Sequence, residues 1–152
     1  MVISNKQNQK DLIELNDLNQ SFELIDLNII GNELSKNKYD ILVFYSDYNL
    51  TINQSILYGY LNCLKINKFE GTVGTLKIPG GAFELPLLTS KIIRKYSPKL
   101  CLVVGCIIKG ETQHYEFLSS TVTNAIRNVS FENNTPIPVS YTHLTLPTSL
   151  IV

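Results

Sequence analysis

The order of apolar segments predicts an α/β fold, three layers deep, with a four-stranded parallel sheet between two layers of helices. Three observations carry this expectation. Residues 40–45 (DILVFY) and 100–108 (LCLVVGCII) are short, almost wholly apolar runs, as strands covered on both faces are. Longer segments between and after them repeat apolar residues at spacings of three and four, the period of a half-buried helix. Strand and helix then alternate four strands deep, which implies right-handed crossovers and parallel pairing.

Residues 1–38 are rich in Asn, Leu and Asp and weakly patterned. Leu12, Leu15 and Leu18 have loose helical spacing, and 22–30 reads as a short strand, but the whole stretch reads as an N-terminal arm outside the main core. The α/β domain is expected over 39–152. Its first strand, 40–45, leads through a turn at 46–49 into a helix over 52–66, marked by Ile52, Ile56, Leu57, Tyr60, Leu61 and Leu64. Residues 71–78 alternate weakly as a second strand, and Pro79-Gly80-Gly81 turns the chain. Leu85, Leu88, Ile92, Ile93 and Tyr96 mark a second helix, ended by Ser97-Pro98. The strand 100–108 opens into a polar loop, 109–114. Leu118, Val122, Ala125, Ile126 and Val129 mark a third helix, and 136–141 can form the fourth strand.

Composition narrows the function. A chain of 152 residues is one domain's worth, and 44% hydrophobic content excludes wholesale disorder. Lys plus Arg and Asp plus Glu number 13 each, so no basic excess is available to grip a nucleic-acid backbone. Charged residues make up only 17%, which fits a subunit partly covered by copies of itself. Three cysteines, Cys63, Cys101 and Cys106, are an odd set with two members in an apolar run, so reduced thiols are expected rather than a disulfide scaffold. The first ten residues are polar, and no apolar run approaches the roughly 18 residues of a membrane span. A soluble cytoplasmic protein is the resulting expectation. No Gly-rich dinucleotide fingerprint, phosphate-binding P-loop or Cys/His metal spacing occurs.

In a parallel sheet the ligand site lies beyond the carboxyl ends of the strands. Candidate residues therefore fall at 46–49, 79–84, 109–114 and just after Val139. Gly110, Glu111 and Thr112 open a helix after the most buried strand, where free backbone N–H groups and the helix dipole favour an anion; a plain capping turn is the alternative. His114 sits at that strand's carboxyl end and is of the residue type that exchanges protons near neutral pH, although a lone His is more often structural. His143, in the charge-free tail, carries less weight. Gly80 and Gly81 free backbone groups to meet a ligand, and Phe83 offers an apolar surface. Glu84 can accept hydrogen bonds from hydroxyls or simply cap a helix. Tyr48 can stack on a planar ring or serve in ordinary packing.

The pair Pro-Gly-Ala-Phe-Glu-Leu-Pro (from Gly81-Ala82-Phe83-Glu84-Leu85-Pro86) and Gly-Glu-Thr-x-His-Tyr-Glu (from Gly110), about thirty residues apart, resembles the 6,7-dimethyl-8-ribityllumazine synthase family over about 39–141. The resemblance implies a flavodoxin-like sheet of the lumazine synthase type. It implies a transferase of riboflavin biosynthesis that condenses 5-amino-6-(D-ribitylamino)uracil with 3,4-dihydroxy-2-butanone 4-phosphate, without metal or organic cofactor. Tyr48 and Asn49 match the family's aromatic-Asn pair, whose ring stacks on the pyrimidine. Ala82, Phe83 and Glu84 match the segment at the ribityl chain, and Cys106, Ile107 and Ile108 match the strand end lining the pyrimidine pocket. Gly110 shares the phosphate-side loop, Glu111 and Thr112 match positions at the butanone phosphate, and His114 matches the proton-transfer residue. Tyr141 matches an aromatic position donated across a subunit interface. The implied partners are small-molecule substrates, further copies in pentamers or sixty-subunit shells, and riboflavin synthase.

Three departures from the family's pattern stand out. Pro79-Gly80-Gly81-Ala82 has one Gly more than the usual Pro-Gly-Ala, so a longer turn or a shifted register before Ala82 is expected. The stretch before residue 39 exceeds the usual arm. After Glu132 no Asp, Glu, Lys or Arg occurs, and the family's downstream phosphate-gripping Arg has no counterpart, which reads as a truncated or aberrant tail lacking the C-terminal helical region. Three alternatives to the enzyme remain at this level: a non-catalytic shell-forming or ligand-binding relative, a riboflavin synthase of the archaeal type, and a generic flavodoxin-like nucleotide binder.

Overall fold

Alternation along single strands builds the layers. In a computed structural model, residues 22–26, 38–109 and 114–145 are described, with the backbone alone over 141–145. Strand β2 (Ile41–Ser46) is buried along its whole length. Its Ile41, Val43 and Tyr45 pack on one side with Leu57 and Leu61 of helix α1 (Leu50–Ile66). Leu42 and Phe44 pack on the other side with Leu85 and Ile93 of helix α2 (Leu85–Tyr96) and with Val122, Ile126 and Val129 of helix α3 (His114–Asn133). Strand β4 (Leu100–Lys109) divides in the same way: Cys101, Val103 and Ile107 face α2 and α3, while Leu102 and Val104 face α1. A period of two sends successive side chains to opposite faces, so a continuous apolar run is what a sheet covered on both sides requires. The expected α/β/α sandwich is present.

Among the described residues the sheet holds five strands rather than the expected four. Strand β1 (Glu23–Asp26), β3 (Thr72–Ile78) and β5 (Val139–Thr145) join β2 and β4 in the order β1-β3-β2-β4-β5, all parallel. The fifth strand comes from the stretch read as an arm. Glu23 pairs with Thr72 and Asp26 with Thr75, and the adjoining Phe22 is buried against Phe69 with ring centroids 6.3 Å apart. The short strand expected within 22–30 is thus part of the sheet: its four residues are mostly exposed or half-exposed, with only Ile25 buried, too short an apolar pattern to mark a core strand.

Helix α1 runs two residues earlier than the sequence suggests, entered through Asn49 in the left-handed conformation at φ 56°. Helix α2 matches its expected span, with Pro86 in the first turn and Ser97, at φ 46°, closing it before Pro98. Helix α3 begins at His114, ahead of its first strongly apolar marker. Strand β5 is longer than the expected 136–141 and starts later. Pro136 and Pro138 lack an N–H, yet their carbonyls accept from Cys101 and Val103, so the ladder engages before the regular strand begins.

At the amino end of the sheet, Asp40 ties three segments together. Its carboxylate accepts from Lys99 Nζ at 2.7 Å and from the Thr72 N–H at 2.9 Å. The Lys99 hydrogen bond first, then that from Thr72, holds the Asp40 carboxyl below its usual range despite an opposing contribution from burial. No helix among the described residues is long and apolar enough to cross a membrane.

Candidate functional site

Three strand ends meet at one open cavity of about 730 Å³, a size typical of small-molecule sites, which run from about 300 to 1,000 Å³. From the end of β2 comes Tyr48, whose ring is 54% exposed. From the end of β3 comes the turn through Gly81 into a single 3₁₀ turn, Ala82–Glu84, which buries Ala82 and leaves Phe83 exposed. From the end of β4 come Cys106, Ile107 and Ile108, of which the first two are buried. The first two turns of α3 complete the wall with His114, Tyr115, Phe117, Leu118 and Thr121.

The second turn takes its shape from its glycines. Gly80 lies at φ +97°, a conformation open to Gly and costly to other residues. A side chain there would also begin 2.9 Å from Glu84 Oε2. Gly81 is extended, and its N–H donates to the same Oε2 at 2.8 Å. The extra glycine of this motif is thus accommodated by one positive-φ residue, and Ala82–Glu84 still face the cavity. With one oxygen engaged by Gly81, the Glu84 carboxylate keeps its other oxygen as an acceptor for hydroxyls.

The first turn is held by buried polar groups. Ser46 Oγ donates to the Gly80 carbonyl at 2.7 Å, and the Tyr48 N–H approaches Ser46 Oγ at 3.1 Å and the Gly80 carbonyl at 3.0 Å. Asn53, in the first turn of α1, donates from Nδ2 to the carbonyls of Ser46 and Tyr48, both at 2.8 Å. Asn49 lies outside the cavity wall proper, at the entry to α1. Burial pushes the Cys106 thiol up, and the nearby Asn49 side chain pulls it partly back. Cys101, deeper in the same strand, is pushed up to about 12 by burial. Both thiols are therefore neutral, apolar filling rather than nucleophiles. No cluster of metal-ligating side chains occurs among the described residues.

Of the candidates from sequence, Tyr48, Ala82, Phe83, Glu84, Cys106, Ile107, Ile108 and His114 line this one cavity. Gly110, Glu111 and Thr112 lie outside the described residues. Tyr141 lies on β5 opposite Gly105, and its side chain is outside the description. The sequence reading passed over Phe117, Leu118 and Thr121 as wall residues, although they follow His114 at offsets of three, four and seven and so share its helix face. It placed Ser46 only within the 46–49 turn, with no role of its own, and passed over Asn53; both are fully buried polar side chains.

Chemically, the cavity offers exposed aromatic surface for a planar ring, an apolar strand end, a carboxylate for hydroxyls and an imidazole for proton movement. Comparison with known proteins adds the family. A family model described as 6,7-dimethyl-8-ribityllumazine synthase matches residues 38–143. A protein of that name from Buchnera aphidicola subsp. Baizongia pistaciae is 36% identical over 109 residues, covering 69% of this chain and 67% of the relative. Another from Prochlorococcus marinus (strain MIT 9312) is 32% identical over 112 residues, covering 70% of each chain. The matched span contains β2 to β4, α1 to α3 and every described wall of the cavity, and on that ground the chain belongs to the 6,7-dimethyl-8-ribityllumazine synthase family.

Proposed function

We propose that this chain condenses 5-amino-6-(D-ribitylamino)uracil with 3,4-dihydroxy-2-butanone 4-phosphate to give 6,7-dimethyl-8-ribityllumazine, phosphate and water. The observation that carries this reading is the convergence of Tyr48, Glu84 and His114 on one cavity within the family-matched span. The pyrimidine ring lies against Tyr48 and the ends of β4, with Asn49 at its edge. The ribityl chain runs along Ala82–Glu84, where the unengaged Glu84 oxygen accepts from a hydroxyl. The phosphate substrate enters on the side of Gly110, Glu111 and Thr112.

The reaction needs no strong nucleophile from the protein. The 5-amino group attacks the ketone and water is lost, giving an imine. Phosphate is then eliminated with its C–O bond electrons, the enol becomes a ketone, and the ribitylamino nitrogen closes the ring with loss of a second water. Each stage moves a proton, which is the role assigned to His114, and positioning of the two substrates supplies the rest. The exposed rings of Phe83 and Phe117 suit an assembly in which neighbouring subunits close the open side of the cavity, and the family resemblance implies that this assembly is a pentamer or a larger shell. Three free cysteines accord with a cytoplasmic setting, where riboflavin synthase would take the product.

The test is to mix the purified protein with both substrates and follow lumazine formation. The wild type should form product, and His114→Ala should retain its assembly while kcat falls about a hundred- to ten-thousand-fold. Binding of the ribityl-pyrimidine without product would identify a non-catalytic relative. Conversion of lumazine alone would identify a riboflavin synthase. An unchanged kcat in His114→Ala would remove that residue from proton transfer.

A further inference from the structure

The hydrogen bonds beneath Tyr48 do more than close a turn. They join two loops from different strands. Asn53 is fully buried on the core stripe of α1, where Leu57 and Leu61 follow at intervals of four. A polar side chain at such a position costs stability unless its hydrogen bonds are made. Its Nδ2 makes two, to the Ser46 and Tyr48 carbonyls, which fixes which end of the amide is nitrogen, while Oδ1 meets no donor among the described residues. Ser46, also fully buried, donates from Oγ to the Gly80 carbonyl, to which the Tyr48 N–H also points. The adjoining Asp47 N–H donates to the Ile78 carbonyl at 2.9 Å. The chain from α1 through Ser46 to Gly80 thus fixes Tyr48 relative to the turn that carries Glu84.

We propose that Ser46 and Asn53 are positioning residues that hold the Tyr48 ring and the Gly80–Glu84 turn at the separation a ribityl-pyrimidine spans, touching no ligand themselves. Neither side chain lines the cavity. The inference rests on the ribityl-pyrimidine reading of the site. Its consequence is selective: loosening the link degrades recognition of the pyrimidine substrate and leaves the phosphate substrate, bound at another strand end, alone.

The test uses Ser46→Ala and Asn53→Leu in the full chain, which break the link from opposite sides. Three readings are taken on each folded variant: exchange of the Tyr48 amide hydrogen, Kd for 5-nitro-6-(D-ribitylamino)uracil as an unreactive pyrimidine probe, and KM for each substrate. Loss of one buried hydrogen bond should speed Tyr48 exchange about tenfold and weaken probe binding by a similar factor. KM for the butanone phosphate should not move. Unchanged exchange in either folded variant overturns the inference. So does faster exchange with unchanged probe affinity, because the ordering then does not reach the ligand. If wild-type protein fails to bind the probe, the ribityl-pyrimidine reading fails, and with it the inference about the ligand, while Tyr48 exchange still decides whether the link orders the loop.

Discussion

Gly80 and Gly81 stand side by side in the turn that presents Glu84, yet replacing each by Ala should have opposite results. At Gly80 the backbone is at φ +97°, and a new Cβ would lie 2.9 Å from Glu84 Oε2 and 3.0 Å from its Cδ. A left-handed conformation costs a non-Gly residue about 1–2 kcal/mol. The carboxylate must also swing away and lose its contact with the Gly81 N–H, a bond worth about 1 kcal/mol or less at an exposed site. Gly80→Ala should therefore destabilise by about 2 kcal/mol, which for a chain of this size lowers Tm by about 4–8 °C. At Gly81 the backbone is extended at φ −96°, and a Cβ would sit 3.7 Å from Glu84 Oε2, an ordinary contact. Gly81→Ala restricts the unfolded chain at no native cost and should stabilise by about 0.4–1 kcal/mol. Thermal melts of the three proteins, with affinity for a ribityl-pyrimidine measured on each, make the comparison. If Gly80→Ala melts within about 1 °C of wild type, or Gly81→Ala falls as far as Gly80→Ala, the turn is not fixed in the way described.

Two further substitutions probe the scaffold. The hydroxyl of Thr89 is buried on α2 with no hydrogen-bond partner among the described residues, so Thr89→Val should be neutral or stabilising by up to about 1 kcal/mol; a clear loss of stability in a urea melt would show that the hydroxyl has a partner. Asp40 has its folded carboxyl held down, chiefly by Lys99, so it adds stability above the ordinary carboxylate range that is lost as pH falls through the depressed folded value. Because Lys99 is mostly exposed, the difference between wild type and Asp40→Asn should be only about 0.5–1 kcal/mol at pH 7, and it should shrink as pH falls through the depressed carboxyl value. A difference that grows on acidification would contradict this sign.

How much of this was legible in the sequence depends on burial. The runs at β2 and β4 announce themselves because both of their faces are covered, and the stripes Leu57-Leu61 and Val122-Ile126-Val129 announce helices for the same reason. The strand at Glu23–Asp26 was legible as a short strand within 22–30, but its place in the sheet was not, because a four-residue edge strand with mostly half-exposed side chains carries little hydrophobic pattern. The cavity's loop residues were legible from two motifs and the rule that ligands gather at strand carboxyl ends. Asn53 was not, because it interrupts an otherwise apolar helical stripe, and its meaning depends on which carbonyls lie beneath the helix. Phe117 and Thr121 were hidden by the late placement of the start of α3, since their alignment with His114 is plain once the helix begins there.

The most direct test of the site is a structure of the protein with 5-nitro-6-(D-ribitylamino)uracil bound. The pyrimidine should lie against Tyr48 and the ends of β4, with a ribityl hydroxyl on Glu84 and His114 facing the position of the reacting amine. A ligand seated elsewhere, for example in the smaller polar cavity between the C-terminal ends of α2 and α3 near Arg94 and Asn133, would contradict it.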